Sequence, residues 1–411
     1  MAIPRCPAVP TIAHTDSDTL RLPITLVTPM FGGGTNTRAV DKDQPIRPTS
    51  IRGHLQFWWR ATAGARHSQS HSLFADQADI WGSTSIKSKV SVSVEAAINP
   101  GQISYSSIVN AYPSLKYALF PFAPNNAASE ATGVKHGFNF TVTIKRLDPK
   151  LSDQQWQEVK DATTAWINFG GIGSRTRRGC GSLFSDKISF STIEAIRLWI
   201  GSKGTSEVRP WPTLPKKIYI NNKTENHDVS WADSVDLLNF FRQGKDCGRN
   251  PPNNPSDKYK LGQSRFPEPD TIRGLLNKWD HPARKEYPQK GYPRAEFGLP
   301  IIFHFMGKGV PPDTTLQPVV DGITQDRMAS PLILKSLALS IGTSVPSVLK
   351  MNTTPLDEVV LMNGINEVNH SRSHPIRSRD FSSMFPSPMN GFSSAIDAFL
   401  KYAEDEGYTA N

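Results

Sequence analysis

Apolar and polar residues alternate with a period of two in two stretches, residues 90–96 reading V-S-V-S-V-E-A and residues 138–144 reading F-N-F-T-V-T-I. That period is the pattern of strands with one packed face and one wet face. Residues 20–27 form a short β-branched apolar run that predicts an opening strand, and Pro29 with Gly32, Gly33 and Gly34 end it in a loop. Across residues 153–169 the period changes to that of a helix, with Trp156, Val159, Trp166 and Phe169 on the inner face and Ser152 or Asp153 as the cap. Residues 124–133 are a polar loop, residues 170–182 a glycine-rich loop, and residues 183–190 a further strand.

Before the first alternating stretch lies a helix that the chain writes twice. Residues 48–58 read P-T-S-I-R-G-H-L-Q-F-W and residues 269–279 read P-D-T-I-R-G-L-L-N-K-W, with six identities. In each copy Pro stands near the entry, and Thr49 with Ser50, or Asp270 with Thr271, offer side-chain oxygens to unpaired N–H groups. Ile51, Leu55 and Trp58, and likewise Ile272, Leu276 and Trp279, make an apolar stripe. Arg52, Gln56 and Arg60 occupy the opposite face of the first copy, which therefore packs one side and offers cations on the other. A glycine inside a helix costs about 1 kcal/mol and suggests close backbone packing.

Strand, helix, strand, strand, helix, strand is the ferredoxin-like plan, a scaffold of many RNA-recognition modules. The expected fold class is α+β, two tandem ferredoxin-like (RRM-like) domains with long loop insertions. Gly201, Gly204, Pro210 and Pro212 mark the boundary. Residues 1–205 form the N-terminal domain with the Gly/Arg-rich loop, and residues 213–411 the C-terminal domain with a basic Pro-rich insertion. The second domain opens with a strand at 217–220. It continues through the repeat helix, a strand at 299–305 and an apolar segment at 331–339, and closes on a helix at 392–404.

A chain of 411 residues with 37% hydrophobic residues can bury two cores. The 33 prolines and 29 glycines add long ordered loops. Formal net charge is +9, and the stretch from 242 to 294 contributes +6 of it, from twelve Lys or Arg against six Asp or Glu. A surplus so concentrated favours a polyanionic partner. Tyr259, Phe266, Trp279, Tyr287 and Tyr292 are interleaved with these charges, a mixture suited to backbone contacts plus stacking on unpaired bases. No apolar run reaches the ~18 residues of a membrane span, mean hydropathy is −0.39, and residues 1–18 lack the order of a secretory signal. Cys6, Cys180 and Cys247 are widely spaced without a C-x-x-C pair, which fits a reducing cytoplasm and encodes neither a disulfide framework nor a zinc ribbon.

The richest chemical motif is G-G-I-G-S-R-T-R-R-G-C-G at residues 170–181. Glycines let main-chain N–H groups approach a phosphate, and Arg175, Arg177 and Arg178 add charge-assisted bonds. It is not a Walker loop, since no G-K-[S/T] follows, nor a dinucleotide fingerprint, since Thr176 takes the slot of the third glycine.

Taken together, T-P-M-F-G-G-G after the first strand, R-P-T-S-I-R-G-H-L-Q-F-W-W-R, and G-G-I-G-S-R-T-R-R-G-C-G-S resemble the RAMP superfamily. The likeness is greatest to the first RAMP subunit of type III-B (Cmr) CRISPR effector complexes. R-F-P-E-P-D-T-I-R, F-G-L-P-I-I-F and R-M-A-S-P-L-I-L-K extend it across residues 20–340. The resemblance implies a non-catalytic RNA-binding subunit that contacts guide RNA near its 3′ region, the paired target RNA, or both, beside other Cmr subunits that do the cleaving. The second domain lacks a Gly/Arg-rich loop of its own.

On this reading Arg38, Arg47, Arg52, Arg60, Arg175, Arg177 and Arg178 hold phosphates, and His54 or Trp59 lies near a base or sugar. Gly171, Gly173 and Ser174 complete the loop, and Arg273 and Arg294 extend the surface. The rival is a metal-independent endoribonuclease with His54 as general base and Arg52 or Arg60 stabilising the oxyanion. No cofactor or metal is expected: His67/His71 and His370/His374 have H-x-x-x-H spacing without further ligands, and Asp41 and Asp43 sit in a loop of mixed charge.

Overall fold

The computed structural model describes residues 16–251, 262–279, 290–382 and 387–410. Its first half runs through β1 (Thr19–Leu26), α1 (Pro48–Ala61), α2 (Ser70–Trp81), β2 (Val90–Ala96), β3 (Asn139–Arg146), α3 (Asp153–Phe169) and the short β4 (Leu183–Phe184). These strands make an antiparallel sheet of order β2-β3-β1-β4. Leu22, Ile24 and Leu26 of β1 are buried while Arg21 and Pro23 are exposed, the alternation that a half-covered sheet requires. The buried face packs on Ile51, Leu55, Trp58 and Trp59 of α1 and on Val159, Ala162, Trp166 and Phe169 of α3. A capping box starts α3: the Ser152 hydroxyl accepts from the Gln155 N–H, and the Gln155 side chain accepts from the Ser152 N–H.

The second half runs through β5 (Tyr219–Asn221), α4 (His227–Gln243), α5 (Glu268–Leu276), β6 (Ile301–Phe303), β7 (Thr314–Val320), β8 (Leu332–Ala338), β9 (Ser344–Lys350), β10 (Glu358–Asn363), α6 (Ala395–Asp405) and β11 (Tyr408–Thr409). Its main sheet has the order β8-β9-β5-β11, again antiparallel. A separate sheet is built on β7 and β10, with β6 pairing β7. Ile333, Leu337, Val345, Leu349 and Met351 of the second half join the core of the first, so apolar packing is continuous between the halves.

The repeated eleven-residue pattern does not mark equivalent places. In the first half α1 directly follows β1 and covers the sheet, whereas after β5 the covering helix is α4, which lies on β8 and β9. The second copy, α5, sits in the long connection after α4, where Ile272 packs with Tyr292, Leu299, Phe303 and Leu316. Neither copy is capped by the side chains expected of it: the N-cap residues are Arg47 and Pro267, without side-chain capping bonds. The Thr271 hydroxyl instead donates to Pro267 O at 3.0 Å and accepts from the Gly291 N–H. α5 stops at Leu276 with Asn277 in the left-handed region, which leaves Trp279 off the helical stripe. Strand pairing is also shorter than the apolar runs at 183–190 and 299–305, covering Leu183–Phe184 and Ile301–Phe303.

Candidate nucleic-acid interface

The Gly/Arg-rich loop begins where α3 ends and is fixed by close contact with its own protein. A Cβ at Gly173, whose φ is +83°, would come within 2.6 Å of Phe31 O and Met30 Cγ. One at Gly170 would come as near to Trp166 O and Trp58 Nε1. Gly171 is buried, and a Cβ on it would stand 2.8 Å from Gly181 O. Internal packing by itself therefore requires glycine at these positions.

The arginines of this loop bond to neutral oxygens, Arg175 within the first half and Arg177 and Arg178 in the second. Arg175 Nε donates to Ala118 O at 2.8 Å, and its guanidinium lies 5.1 Å from the Phe120 ring centroid. Arg177 donates to Ser330 O. Arg178 donates to Leu332 O at 3.1 Å and Phe297 O at 3.3 Å. Burial lowers the pKa of all three, Arg178 to about 10, which leaves Arg178 a cation at neutral pH. A carbonyl acceptor satisfies a donor without cancelling its charge, and the positive potential persists.

These three arginines line a cleft of about 1340 Å³, together with Arg242, Arg249, Arg273, Arg294 and Arg327 of the second half. Eight guanidiniums converge there, and no Asp or Glu is among the described residues of the lining. Arg242 donates to the Tyr117 hydroxyl and lies over the Phe297 ring at 5.4 Å, while Arg249 Nε donates to Gln243 Oε1 at 2.6 Å. Behind the surface, Arg294 meets Glu268 Oε2 at 3.1 Å and Arg273 meets Asp270 Oδ1 at 3.7 Å, so these two are partly compensated. Arg294, only 5% exposed, cannot grip a ligand as an outward-reaching side chain would. Arg242, Arg249 and Arg327 are not among the residues that the motifs single out; the charge concentration after 242 and the R-M-A-S-P segment are the sequence signals that point to them.

Other residues expected to touch RNA are divided among different places. His54, Arg47, Gly173 and Ser174 meet with Gly33 and Ser50 around a small cavity of about 190 Å³ at the N-terminus of α1. Burial lowers the His54 pKa, which keeps the imidazole neutral at pH 7. Arg47 is held by Asp41 at 2.6 Å. Arg38 donates to the carbonyls of Pro121, Ala123 and Ser129 at 2.6–2.8 Å, which makes it a tie between loops. Arg52 and Arg60 turn to α2, donating to Trp81 O and, at 2.8 Å, to Gln77 Oε1, so the cationic face of α1 is covered by a helix. Trp59 is fully buried, its Nε1 donating to Glu158 at 3.1 Å, and has no face left for a base. Phe266 and Tyr292 are likewise core residues, while Tyr259 and Tyr287 lie outside the described residues.

Among the described residues no group of three or more His, Cys, Asp or Glu could hold a metal ion. His67 Nε2 instead meets Asp76 at 3.0 Å, and His374 packs its ring edge-on to Tyr292. No helix of the described residues is long and apolar enough to cross a membrane.

Compared with known proteins, residues 23–184 match the RAMP superfamily. The matched stretch runs from within β1 to the end of β4, with α1, α3 and the Gly/Arg-rich loop inside it. The chain is 27% identical over 172 residues to CRISPR system Cmr subunit Cmr1-2 of Pyrococcus furiosus, covering 38% of this chain and 89% of that one. It is 25% identical over 161 residues to subunit Cmr1-1 of the same organism, covering 37% of this chain and 44% of that one. Among solved structures, the apo crystal structure of Cmr1 from Pyrococcus furiosus aligns with a TM-score of 0.49 at 14% identity, over 89% of this chain and 95% of that one. A chain in the cryo-EM structure of type III-B Cmr-beta bound to cognate target RNA aligns with a TM-score of 0.46 at 13% identity, over 80% of this chain and 94% of that one.

Proposed function

We propose that this protein is a non-catalytic RNA-binding subunit of a type III-B (Cmr) CRISPR effector complex, in which it contacts guide RNA near its 3′ region, paired target RNA, or both, beside other Cmr subunits. The observation that carries this reading is the cleft of eight arginines with no carboxylate among its described lining residues, assembled jointly by the RAMP loop and the second half. The relatives' identity as Cmr subunits supplies the complex. The strand orders β2-β3-β1-β4 and β8-β9-β5-β11 support two tandem ferredoxin-like units, since each is the same permutation of strand, helix, strand, strand, helix, strand. A boundary between residues 205 and 213 belongs to the same reading.

A binding role is favoured over cleavage because the residues of the rival site are not assembled. Neither Arg52 nor Arg60 lines the cavity beside His54, and both are engaged by α2. An oxyanion would therefore form there without either of them. The test is RNA affinity as a function of salt for the full chain and for Arg242→Glu with Arg327→Glu. For every phosphate that the variant no longer holds, the magnitude of the log–log salt slope is expected to fall by about one. Unchanged affinity and slope would remove the cleft from the interface.

A further inference from the structure

The two main sheets have matching edges, and only one of them is covered. β2 and β8 hold the same outer place in the orders β2-β3-β1-β4 and β8-β9-β5-β11. In each a serine hydroxyl accepts the first outward N–H, Ser88 from Val90 at 3.3 Å and Ser330 from Leu332 at 3.2 Å. Beyond that point they differ. The Met351 N–H donates to Pro331 O, which turns Leu332 and Leu334 of β8 outward, and there the Gly/Arg-rich loop meets them. Arg178 donates to Leu332 O at 3.1 Å, a Cβ on Gly179 would stand 3.2 Å from Leu334 O, and all seven residues of β8 are buried. Beside β2, the Leu147 N–H donates to Lys89 O at 2.8 Å, and bonded positions alternate along an antiparallel pair. Ser91, Ser93 and Glu95 therefore bond to β3, while Val92, Val94 and Ala96 turn their N–H and C=O groups outward. Among the described residues nothing bonds to those outward groups.

An open edge is a template for pairing with another chain, and proteins ordinarily blunt it with Pro, Lys, a bulge or a short strand. β4, at the other edge of the first sheet, has two residues. β2 pairs without a bulge over seven residues, holds neither Pro nor Lys, and packs Val92 and Val94 against the core. Its one charged side chain, Glu95, is 66% exposed, stands between two of the open positions and meets Arg21 at 2.8 Å. Resting on the subunit reading above only for the presence of a neighbour, we propose that the outer edge of β2 docks an arginine-bearing loop of an adjoining protein subunit. That loop takes on β2 the place that residues 170–181 take on β8, and its guanidiniums donate to the open carbonyls of Val92 and Val94. The joint is head-to-tail, since the matching contact at β8 is already filled from within the chain.

The probe is a synthetic peptide of residues 170–181, cyclised head to tail and with Cys180→Ser, and hydrogen–deuterium exchange is followed in the full-length protein. In the free chain the Val92, Val94 and Ala96 amides are expected to exchange faster than those of Ser91, Ser93 and Glu95, and the peptide should slow them. Arg177→Gln with Arg178→Gln in the peptide should weaken its binding by about tenfold or more, the size of a lost charge-assisted bond. In the protein, Glu95→Lys places a cation at the edge and Val94→Pro removes an outward N–H, a change that an edge strand tolerates. Each should abolish the protection, and an unaltered melting temperature confirms that the variants fold. Slow outward amides in the free chain, no binding of the peptide, or protection that persists in the Glu95→Lys protein overturns the proposal. Protection of the same amides by oligouridylate assigns the edge to RNA, and self-association through β2 assigns it to a second copy, and either result overturns it too. None of these results alters the salt dependence that tests the proposed function, so the two can fail separately.

Discussion

Trp59 and His54 look alike at the level of sequence, two ring-bearing residues on one cationic helix. Five positions separate them, and on a helix that places them on different sides. Trp59 ends fully buried against Glu158, while His54 opens onto a small cavity with Arg47 and Ser174. Gly53, next to His54 in the same helix, is expected from its position to mark a close backbone contact. It does not: a Cβ there would meet nothing within 4 Å, and the residue is exposed. Gly53→Ala should therefore stabilise the isolated protein by about 1 kcal/mol through the helix propensity of alanine, measured as a shift in the denaturant midpoint. A destabilised variant would show that the main chain of α1 is approached at this point.

At the scale of elements, the Gly/Arg-rich loop is a rigid connection whose conformation its neighbours dictate. Gly173 holds φ at +83° with Phe31 O and Met30 against it, so an added methyl meets both backbone strain and a clash. Gly173→Ala is expected to lower stability by about 1–3 kcal/mol, and to weaken RNA binding by displacing Ser174 and Arg175, which a thermal melt and an affinity measurement would check together. A soluble, fully stable Gly173→Ala protein would contradict the packing described. The repeat shows what an eleven-residue pattern leaves undetermined. It specifies an amphipathic helix in both places, but α1 buries its stripe on the first sheet and α5 buries Ile272 in the cluster around Tyr292 and Leu316. Their surroundings come from residues distant in the chain.

Across the whole molecule the halves are joined by core packing and by one unusual tie. Lys335 of β8 is 2% exposed and donates to Ile167 O at 3.3 Å and to Gly170 O, the carbonyls at the end of α3 and the start of the Gly/Arg-rich loop. A cation suits the negative end of a helix, but desolvation opposes it and pushes the Lys335 pKa down from 10.5 to about 7. Between those values the unfolded chain holds a proton that the folded protein lacks, so this group makes stability rise with pH from about 7 towards 10.5. Lys335→Met should flatten that rise in a pH series of denaturant midpoints. An identical pH profile in the variant would mean that the buried amine stays protonated throughout.

The sequence by itself determined the strand, helix, strand, strand, helix, strand order of the first sheet and its two covering helices but not α2, the motifs that resemble the RAMP superfamily, the concentration of charge after residue 242 and the identity of the loop arginines, because periodicity, turn residues and charge are local properties. Only the tertiary structure decided which arginines share a cleft, which are spent on loop carbonyls, and which rings are buried. Those outcomes depend on juxtapositions such as Arg178 with Leu332, or Lys335 with Gly170, between residues more than 150 positions apart. No local pattern encodes the acceptor that a guanidinium will meet across such a separation.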